Sequence, residues 1–404
     1  MDAKTIGTMI AQLRKKNGLT QAALAQKLNI SDKTVSKWES GYGYPEITQF
    51  PVLAALFGVS IDYLMTGEHK GIALCGNILT DLVKTINEYP HLGMLADISH
   101  VKRAVGGCVP NTGIDLAKID ETLPISAIGR IGNDEHGQYV LSQLNHYGIN
   151  TRRVTVSQTQ PTSFSDVMSL PSGERTFFHA RGANVELTPA DIDVSTLDCH
   201  LLHFGYLLLM DGFDAPDAEY GTALARFLHD VQEQGIKTSI DMVSSSDGNF
   251  PAIVRPSLKY CNYVIVNEVE CCAIWGLEPR TADNRPHLEN IKKAMELTAA
   301  DGVQDKVIVH CKELGLCYDV ATATFTVVPS LVIPKSAIKG SVGAGDAFCA
   351  GCLYGLYNDY PDSDLLEFAS AAAACNLFEE NSIDGMRSRN EILQLMQKYG
   401  RETL

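Results

Sequence analysis

The chain has 404 residues, of which 45% are apolar and 20% are charged. These proportions are typical of a folded protein, and the length suits one small and one large domain or two to three average ones. The sequence has no run of about 18 apolar residues and no apolar signal-peptide region near its start, so we expect a cytoplasmic protein with no membrane partner. The net charge of −15 argues against a nucleic-acid partner only if it is evenly spread.

The charge is unevenly divided along the chain. Residues 1–70 contain eight Lys and Arg and six Asp and Glu, which leaves 25 basic and 42 acidic residues for the rest. The N-terminal part therefore carries about +2 and the remainder about −17. Because a DNA phosphate responds to the local field, the N-terminal part is compatible with modest DNA affinity, and we expect dimerisation to strengthen it.

The eleven cysteines all lie at or after Cys75, and their spacing fits neither a disulfide framework nor a four-ligand zinc site. One pair at the Cys-x-x-Cys spacing, Cys349 and Cys352, would permit redox or metal chemistry. Because this pair lies in a stretch of small residues and no second such pair accompanies it, we expect both side chains to pack in a helix. Free cysteines at this density favour a reducing compartment.

Apolar residues recur at helical spacing between Ile6 and Leu64, which predicts five short helices. Thr20 and Ser31 are the predicted N-caps of the second and third helices, and Pro45 is predicted to begin the fourth. Asn29 lies between the second and third helices, where it is predicted to take the left-handed conformation of a tight turn.

The sequence from Gln21 to Glu39 resembles a helix-turn-helix of the phage-repressor (XRE) type, and the resemblance extends over about residues 4–67. It implies an all-α domain, residues 1–67, that binds a double-stranded DNA operator with its third helix and regulates transcription. Val35 and Trp38 are expected to pack inward. The residues implied at the DNA are Gln21, Asp32, Lys33, Thr34 and Lys37. The alternative to DNA binding is a helical interaction bundle in which the lysines only form a solvated face.

After a short linker at residues 66–71, strand patterns alternate with helical patterns, which predicts an α/β domain with a doubly wound, mostly parallel sheet. The stretches are 124–129, 137–147, 199–205, 222–234, 237–241, 263–267 and 307–310. Ligands of such sheets bind at the carboxyl ends of strands. Residues 152–184 have a strand pattern around a predicted hairpin turn at 171–173. Neither a Walker loop nor a dinucleotide fingerprint is present.

The segment from Gly340 to Gly351, GSVGAGDAFCAG, places a turn of small residues and a lone carboxylate at the start of an apolar helix. The backbone amides of Gly343, Ala344 and Gly345 are predicted to face a transferring phosphate at the helix N-terminus. Asp346 is predicted to accept the proton of an attacking hydroxyl. The segment resembles the C-terminal signature of the ribokinase-like (PfkB) carbohydrate kinases.

This second resemblance covers about residues 72–398 and implies a kinase domain at 71–404 that uses ATP and Mg²⁺. It also implies a small β-lid at about residues 150–184, which closes over the sugar and often forms the dimer contact, so we expect a homodimer. The implied sugar-binding residues are Asn77, Asp81, Gly106, Gly107 and Asn111. Asn267 and Glu270 match an Asn-x-x-Glu motif that organises Mg²⁺ through water, with Asp241 as a secondary candidate. A plain helix N-terminal turn is the alternative for Asn267 and Glu270.

Two departures from the family pattern affect its cofactors. Gly340 and Ser341 stand where relatives commonly have Asp-Thr, so a monovalent-cation requirement is not implied. Residues 310–315 replace a usual nucleotide loop, and only Gly315 is carried over as a nucleotide contact. We therefore expect ATP-dependent phosphorylation of a sugar or sugar derivative, combined with DNA binding. The alternative is a weak or inactive kinase fold that senses a sugar, and the sugar could be a ketose, ribose, a sugar acid or a nucleoside.

Overall fold

The computed structural model describes residues 2–59, 61–67, 70–170, 174–244 and 250–402. The chain divides into two compact units, residues 1–71 with 193–200 and residues 72–192 with 201–404. Residues 193–200, which the sequence assigns to the second domain, are thus grouped with the first unit. Across the described ranges, none of the helices has the length and apolar character needed to cross a membrane. The predicted hairpin turn at 171–173 lies outside the described residues.

Within its described residues, the first unit contains five helices, as the apolar spacing predicts. They are α1 Ala3–Lys16, α2 Gln21–Leu28, α3 Asp32–Glu39, α4 Gln49–Phe57 and α5 Ile61–Thr66. The hydroxyls of Thr20 and Ser31 accept hydrogen bonds of 3.1 Å from backbone N–H groups at the starts of α2 and α3. Asn29 has a φ of 55°, so it ends α2 in the left-handed conformation. These three predictions are confirmed.

The prediction that Pro45 begins the fourth helix is wrong, because α4 begins at Gln49. Pro45 is buried in the irregular segment before the helix. Another proline, Pro51, occupies the first turn of α4, where the missing N–H would have no partner within the helix. The helix therefore has a proline near its start, but six residues later than predicted.

The side chains predicted to face inward form the core of this unit. Val35 and Trp38 on α3 are buried, and they pack with Ile10, Leu24 and Leu53 from the three neighbouring helices. Burial of one such aliphatic side chain contributes about 1.5–3 kcal/mol. The core therefore fixes α3 with its other face, which carries the predicted DNA contacts, toward solvent.

An ion pair under the helix-turn-helix connects three of its helices. The Arg14 guanidinium donates to both carboxylate oxygens of Glu39 at 2.6 and 2.9 Å, and Gln21 Nε2 donates to Glu39 Oε2 at 2.8 Å. The charged side chains are only 10% and 8% exposed. Burial opposes ionisation of Glu39, but the hydrogen bonds from Arg14 and Gln21 outweigh it and lower the pKa of the carboxyl.

We expect Glu39→Gln to destabilise the first unit by about 3 kcal/mol, because it leaves the Arg14 charge buried without a counter-ion. The measurement is urea unfolding followed by the fluorescence of Trp38. The second tryptophan, Trp275, is replaced by Phe so that Trp38 is the sole reporter. Glu46→Gln, at an exposed position of the same unit, is the matched control. Equal unfolding curves for the two variants would contradict the structural role of the ion pair.

The second unit is built on strands and helices that alternate. The strands are β1 Ile72–Gly76, β2 Leu79–Ile86, β3 Ile98–Gly106, β4 Ile125–Gly132, β5 Asn150–Ser157, β6 Ser163–Ser169, β7 Arg175–Ala180, β8 Leu201–Leu207, β9 Pro216–Asp217, β10 Gly221–Thr222, β11 Lys237–Met242, β12 Tyr263–Asn267, β13 Lys306–His310, β14 Leu314–Asp319 and β15 Thr324–Pro329. The helices are α6 Cys108–Ile119, α7 Glu135–His146, α8 Asp211–Asp214, α9 Ala223–Gln232, α10 Phe250–Leu258, α11 Glu268–Ala273, α12 Leu288–Ala300, α13 Ala344–Tyr357, α14 Asp362–Asn376 and α15 Arg389–Lys398.

Nine strands form the main sheet in the order β15-β14-β13-β12-β11-β8-β1-β4-β5. The pairs from β5 to β13 are parallel, and the pairs formed by β14 and β15 are antiparallel. The predicted doubly wound, mostly parallel sheet is therefore confirmed. Parallel strands bring their carboxyl ends to one edge of the sheet, where the candidate site lies.

The lid is a separate four-stranded sheet in the order β3-β2-β6-β7. Half of it comes from residues 79–106, well before the predicted range of about 150–184. The prediction is also wrong for β5, which pairs in parallel with β4 and ends the main sheet. As an edge strand, β5 alternates exposed and half-buried residues, and this pattern resembles that of a lid strand.

Helix α13, which follows the glycine-rich turn, is buried along most of its length. A Cβ at Gly351 would lie 2.6 Å from Ala369 Cα, so only a hydrogen fits between α13 and α14 at this point. Cys349 and Cys352 are both buried in the core, as the packing prediction requires. The small residues of α13 thus allow two helices to approach closely behind the turn.

Candidate active site

The glycine turn begins α13 with a backbone conformation that favours glycine. Gly343 has a φ of 76°, and a Cβ there would lie 2.5 Å from Ser382 Cβ. The Ala344 N–H donates to the Ser341 carbonyl at 3.3 Å, so one of the three amides predicted to face a phosphate closes the turn itself. The conformation of the turn is therefore stabilised by the chain's own backbone.

Asp346 lies in the first turn of α13 and is 7% exposed. Its Oδ2 accepts a hydrogen bond of 2.9 Å from Asn111 Nδ2, and both of its oxygens accept from the Tyr206 hydroxyl at 3.0 and 3.1 Å. Burial raises the pKa of Asp346 to about 7, and the nearby Asp241 and Asp81 add to this, while the bonds from Asn111 and Tyr206 oppose it. A carboxyl with this pKa can take up a proton near neutral pH.

Asn111 is held between Asp346 and the C-terminal region of the chain. Its amide donates to Asp346, and its Oδ1 accepts from the Ser382 hydroxyl at 2.8 Å. Both ends of the side chain are thus engaged in orienting the carboxyl of Asp346. The sequence resemblance implies only a sugar contact at this position.

The other predicted sugar-binding residues lie together beside the lid. Among the described residues, the fully buried Asn77 side chain has no hydrogen-bond partner for either its Nδ2 or its Oδ1. A Cβ at Gly107 would lie 2.5 Å from the Asn77 carbonyl, and one at Gly106 would lie 2.5 Å from Asp81 Oδ2. Buried polar atoms without partners are costly, so Asn77 is suited to a ligand that supplies hydroxyl groups.

Asp81 on β2 lies in the same sheet as Arg175, and the charge of Arg175 acts on it. Burial raises the pKa of Asp81 to about 7, although the charge of Arg175 acts in the opposite direction. Arg175, the first residue of β7, also donates to the Glu380 carbonyl at 3.1 Å. The lid therefore contributes a carboxyl and a guanidinium that interact electrostatically.

A cavity of about 270 Å³ opens in front of α13 and is lined by Asp346, Gly343, Gly345, Asn267 and Glu270. Asn267 and Glu270 form a capping box at α11. Glu270 N–H donates to Asn267 Oδ1 at 2.8 Å, and Asn267 N–H donates to Glu270 Oε2 at 3.0 Å. The geometry of the helix N-terminal turn thus accounts for both residues without a ligand.

The same residues nevertheless fit a hard cation. Burial raises the pKa of Glu270 to about 7, and the charge of the nearby Asp241 adds to this. A divalent cation in the cavity would offset these two neighbouring carboxylates. Because both Glu270 oxygens already accept hydrogen bonds, from Ser244 and Asn267, Mg²⁺ would be held through its waters, as it prefers.

A second cavity of about 260 Å³ lies on the other side of the turn and is largely apolar, with Phe348 and Leu377 in its walls. Gly345 and His310 line both cavities, so they mark the point where the two meet. Burial lowers the pKa of His310 to about 4, which keeps its imidazole neutral at pH 7. The second cavity has the size and character for a nucleotide base.

Gly315 does not line either of these cavities. It lies in β14 opposite His310, and a Cβ there would contact Phe348 and Leu366 at 3.3 Å. Residues 310–315 form a tight turn between β13 and β14 rather than an extended loop. The glycine is thus explained by packing, and its contact with a nucleotide stays a prediction.

Sequence reasoning assigned no role to Tyr206 or His310. Tyr206 lies near the end of β8 and His310 is the last residue of β13. Tyr206 has a φ of 64°, which is rare for a large side chain, and its N–H donates to Asp241 Oδ1 at 2.5 Å. The location of ligand sites at the carboxyl ends of parallel strands was the signal that could have identified both residues.

The model of the pfkB family carbohydrate kinases matches residues 70–389. The chain belongs to this family. A helix-turn-helix family model matches residues 10–64, so the chain joins a helix-turn-helix to a pfkB kinase.

Curated relatives of this pfkB kinase include two bacterial 5-dehydro-2-deoxygluconokinases. The protein of Geobacillus kaustophilus is 22% identical over 303 residues, which cover 73% of this chain and 85% of the relative. The protein of Listeria monocytogenes is 25% identical over 307 residues, which cover 72% of this chain and 86% of the relative. Together with the family match, these relatives confirm the prediction of a carbohydrate kinase.

Solved structures share the fold of the pfkB unit. Arabidopsis thaliana ribokinase complexed with ribose and ATP has a TM-score of 0.67 at 20% identity, covering 81% of this chain and 99% of the ribokinase. A putative ribokinase II of E. coli in complex with ATP and Mg²⁺ has a TM-score of 0.65 at 17% identity, with the same coverage. The ribokinase-like fold prediction is confirmed.

We expect Gly343→Ala to destabilise the pfkB unit by about 2–4 kcal/mol, through left-handed strain and the clash with Ser382. Gly345→Ala is the matched control, since its Cβ would meet only His310, at 3.5 Å, an ordinary contact. Scanning calorimetry of both variants is the measurement. Equal shifts of the unfolding temperature would show that the turn does not depend on the glycine conformation at Gly343.

Proposed function

We propose that this chain transfers the γ-phosphoryl group of ATP to a hydroxyl of a sugar or sugar derivative, with Asp346 as the general base. The observation that carries the proposal is the placement of Asp346, buried at the start of α13, beside the predicted sugar residues and on the cavity that also contains the Asn-x-x-Glu residues. We further propose that the first unit binds an operator and regulates transcription.

In this mechanism the Asp346 carboxylate accepts the proton of the sugar hydroxyl as its oxygen bonds to the γ-phosphorus. The bond from the γ-phosphorus to the bridging oxygen breaks, and ADP leaves with the electron pair. Backbone amides of the turn at Gly343 and Gly345 stabilise negative charge on the transferring group. Asn267 and Glu270 would hold Mg²⁺ through water, and the ion would neutralise phosphate charge. Tyr206 and Asn111 keep the carboxylate oriented.

We propose a sugar acid as the substrate. The curated relatives named above are 5-dehydro-2-deoxygluconokinases, whose name describes an acidic sugar derivative. In this chain the positive charge of Arg175 acts on Asp81, one of the predicted sugar-binding residues. A carboxylate on the substrate could pair with that guanidinium. A phosphorylation screen over sugar acids, ketoses, ribose and nucleosides tests this assignment. If it is correct, the sugar acids are phosphorylated fastest.

We expect kcat/KM to rise with pH through about 7, because Asp346 can accept a proton only when it is ionised. Asp346→Asn is expected to lower kcat by about 10²-fold or more and to remove this rise. Tyr206→Phe deletes a hydroxyl that favours the ionised carboxyl, so the rise should move to higher pH. Steady-state rates from pH 5 to 9 (roughly the range where such a group titrates) provide the measurement.

Tyr354→Phe is the control for the loss of a buried phenol, since Tyr354 is on the same helix but its hydroxyl donates to Asp120 at 3.5 Å. Its pH profile should match that of the wild type. An unchanged rate in Asp346→Asn would exclude Asp346 as the base. Tight sugar binding without turnover in the wild type would favour a sugar-sensing regulator over a kinase.

The DNA-binding proposal rests on the solvent face of α3. Asp32, Lys33 and Lys37 are exposed there and Thr34 is partly exposed, while the opposite face is buried in the core. Helix α3 can thus enter a major groove without rearrangement of the unit. The Gln21 amide donates to Glu39, so its contact with DNA would use its remaining hydrogen-bonding atoms.

We expect the double variant Lys33→Ala and Lys37→Ala to weaken binding to a DNA fragment selected from a random library. If both lysines contact phosphates, the slope of log affinity against log salt should fall by about 2. Kinase activity should be unaltered. Lys293→Ala with Lys398→Ala removes the same charge from exposed positions of the pfkB unit and is the control. Identical titrations at two salt concentrations for both double variants would mean that α3 does not contact DNA.

A further inference from the structure

Three potential metal ligands meet at the edge of the candidate active site, and two of them line its cavity. His203 comes from β8, Asp241 from β11 and Cys349 from α13, and one ligand atom of each lies within 4.8 Å of the other two. His203 Nε2 is 3.3 Å from Asp241 Oδ2 and 3.5 Å from Cys349 Sγ. All three residues are buried.

The N···O separation is longer than that of a strong hydrogen bond, whereas the N···S separation is ordinary for a hydrogen bond to the larger sulfur atom. A charge-assisted N–H···O bond measures about 2.7–2.9 Å. A tetrahedral Zn²⁺ with bonds of about 2.0–2.1 Å to nitrogen and oxygen and about 2.3 Å to sulfur separates its ligand atoms by roughly 3.3–3.6 Å. The two distances from His203 Nε2 match that spacing. Two of the three separations therefore match those around a small tetrahedral ion, and the third, between Asp241 and Cys349, is at most 4.8 Å.

The orientation of His203 is also that of a metal ligand. Its Nδ1 lies 3.0 Å from Ser239 Oγ, and a hydrogen bond from Nδ1–H to Ser239 leaves the Nε2 lone pair facing Asp241 and Cys349. In metal sites the second ring nitrogen is commonly held in this way. Asp241 is held as well, since its Oδ1 accepts from the Tyr206 N–H at 2.5 Å.

We propose that His203, Asp241 and Cys349 bind a borderline-soft divalent cation of the Zn²⁺ class. On binding, the Cys349 thiol releases its proton to solvent, and the thiolate, the neutral imidazole and the carboxylate coordinate the ion. Asp241 and Cys349 line the cavity in front of Asp346, which provides a path of entry and leaves the fourth position to water. This donor set differs from the all-oxygen surroundings preferred by Mg²⁺.

A cation at this site would affect the orientation of Asp346. It would fix Asp241, which accepts from the backbone of Tyr206, and the Tyr206 hydroxyl donates to Asp346. Cys349 follows Asp346 by about one helical turn on α13. The bound ion would thus link β8, β11 and the first part of α13.

The test is a Co²⁺ titration of the full chain after removal of metal with a chelator. Co²⁺ reports a thiolate ligand by a charge-transfer absorption band in the near ultraviolet. We expect one Co²⁺ per chain to produce this band, Zn²⁺ to abolish it by displacement, and an equal concentration of Mg²⁺ to leave it unchanged. Cys349→Ala should remove the band. No thiolate band in the wild type, or an equal band in Cys349→Ala, would overturn the proposal.

Two further variants make the result specific. Cys352→Ala, a buried cysteine one turn further along α13, should keep the band. Ser239→Ala removes only the hydroxyl that orients His203 and should weaken Co²⁺ binding by about 10–100-fold. If Cys349→Ala does not fold, the Co²⁺ affinity of Ser239→Ala tests the proposal instead. Unchanged affinity in that variant would argue that the cluster is held by hydrogen bonds alone.

Discussion

The pfkB unit depends on one buried carboxyl. Asp346 is almost completely removed from water at a helix N-terminus, and Asp241 and Asp81 are close enough to disfavour its charge. Two neutral donors, Asn111 and Tyr206, offset part of that cost. A carboxyl buried beside cations would have a far lower pKa. The choice of neutral partners leaves the pKa of the carboxyl near 7, which suits a group that must gain and lose a proton.

The donors to Asp346 come from distant parts of the unit and connect its layers. Asn111 is on α6 and bonds to Ser382 near the C-terminus, whereas Tyr206 is on a central strand and bonds to Asp241. A shift of any of these elements would leave a buried polar group without a partner, at a cost of about 1–3 kcal/mol. The network therefore ties the packing of the sheet and helices to the geometry of the Asp346 carboxyl.

The first unit uses an ion pair where the pfkB unit uses neutral partners. Arg14 and Glu39 are both charged and mutually satisfied, with Gln21 completing the set. Such a pair fixes the arrangement of α1, α2 and α3, and both side chains stay charged. The contrast fits the two proposed roles, since a DNA-reading helix needs a fixed orientation and a general base needs a variable charge.

Local sequence signals determined much of this protein. Caps, turn glycines and strand-helix alternation act over a few residues, so the helix-turn-helix, the doubly wound sheet and the placement of Asp346 at a helix start followed from the sequence. The signals failed where only long-range pairing decides the outcome. Pro45 has the chemistry of a helix start but is buried before one, and the edge strand β5 has the pattern of a lid strand.

The tertiary structure alone decided which distant residues meet. The lid takes half of its strands from residues 79–106, because β2 pairs with both β3 and β6. Tyr206 and Asn111 reach Asp346 across 140 and 235 positions of sequence. Cys349 meets His203 from 146 positions away, so its spacing to other cysteines contains no sign of the cluster. Contacts of this kind depend on strand order and helix packing, which leave no periodic trace in the residues that make them.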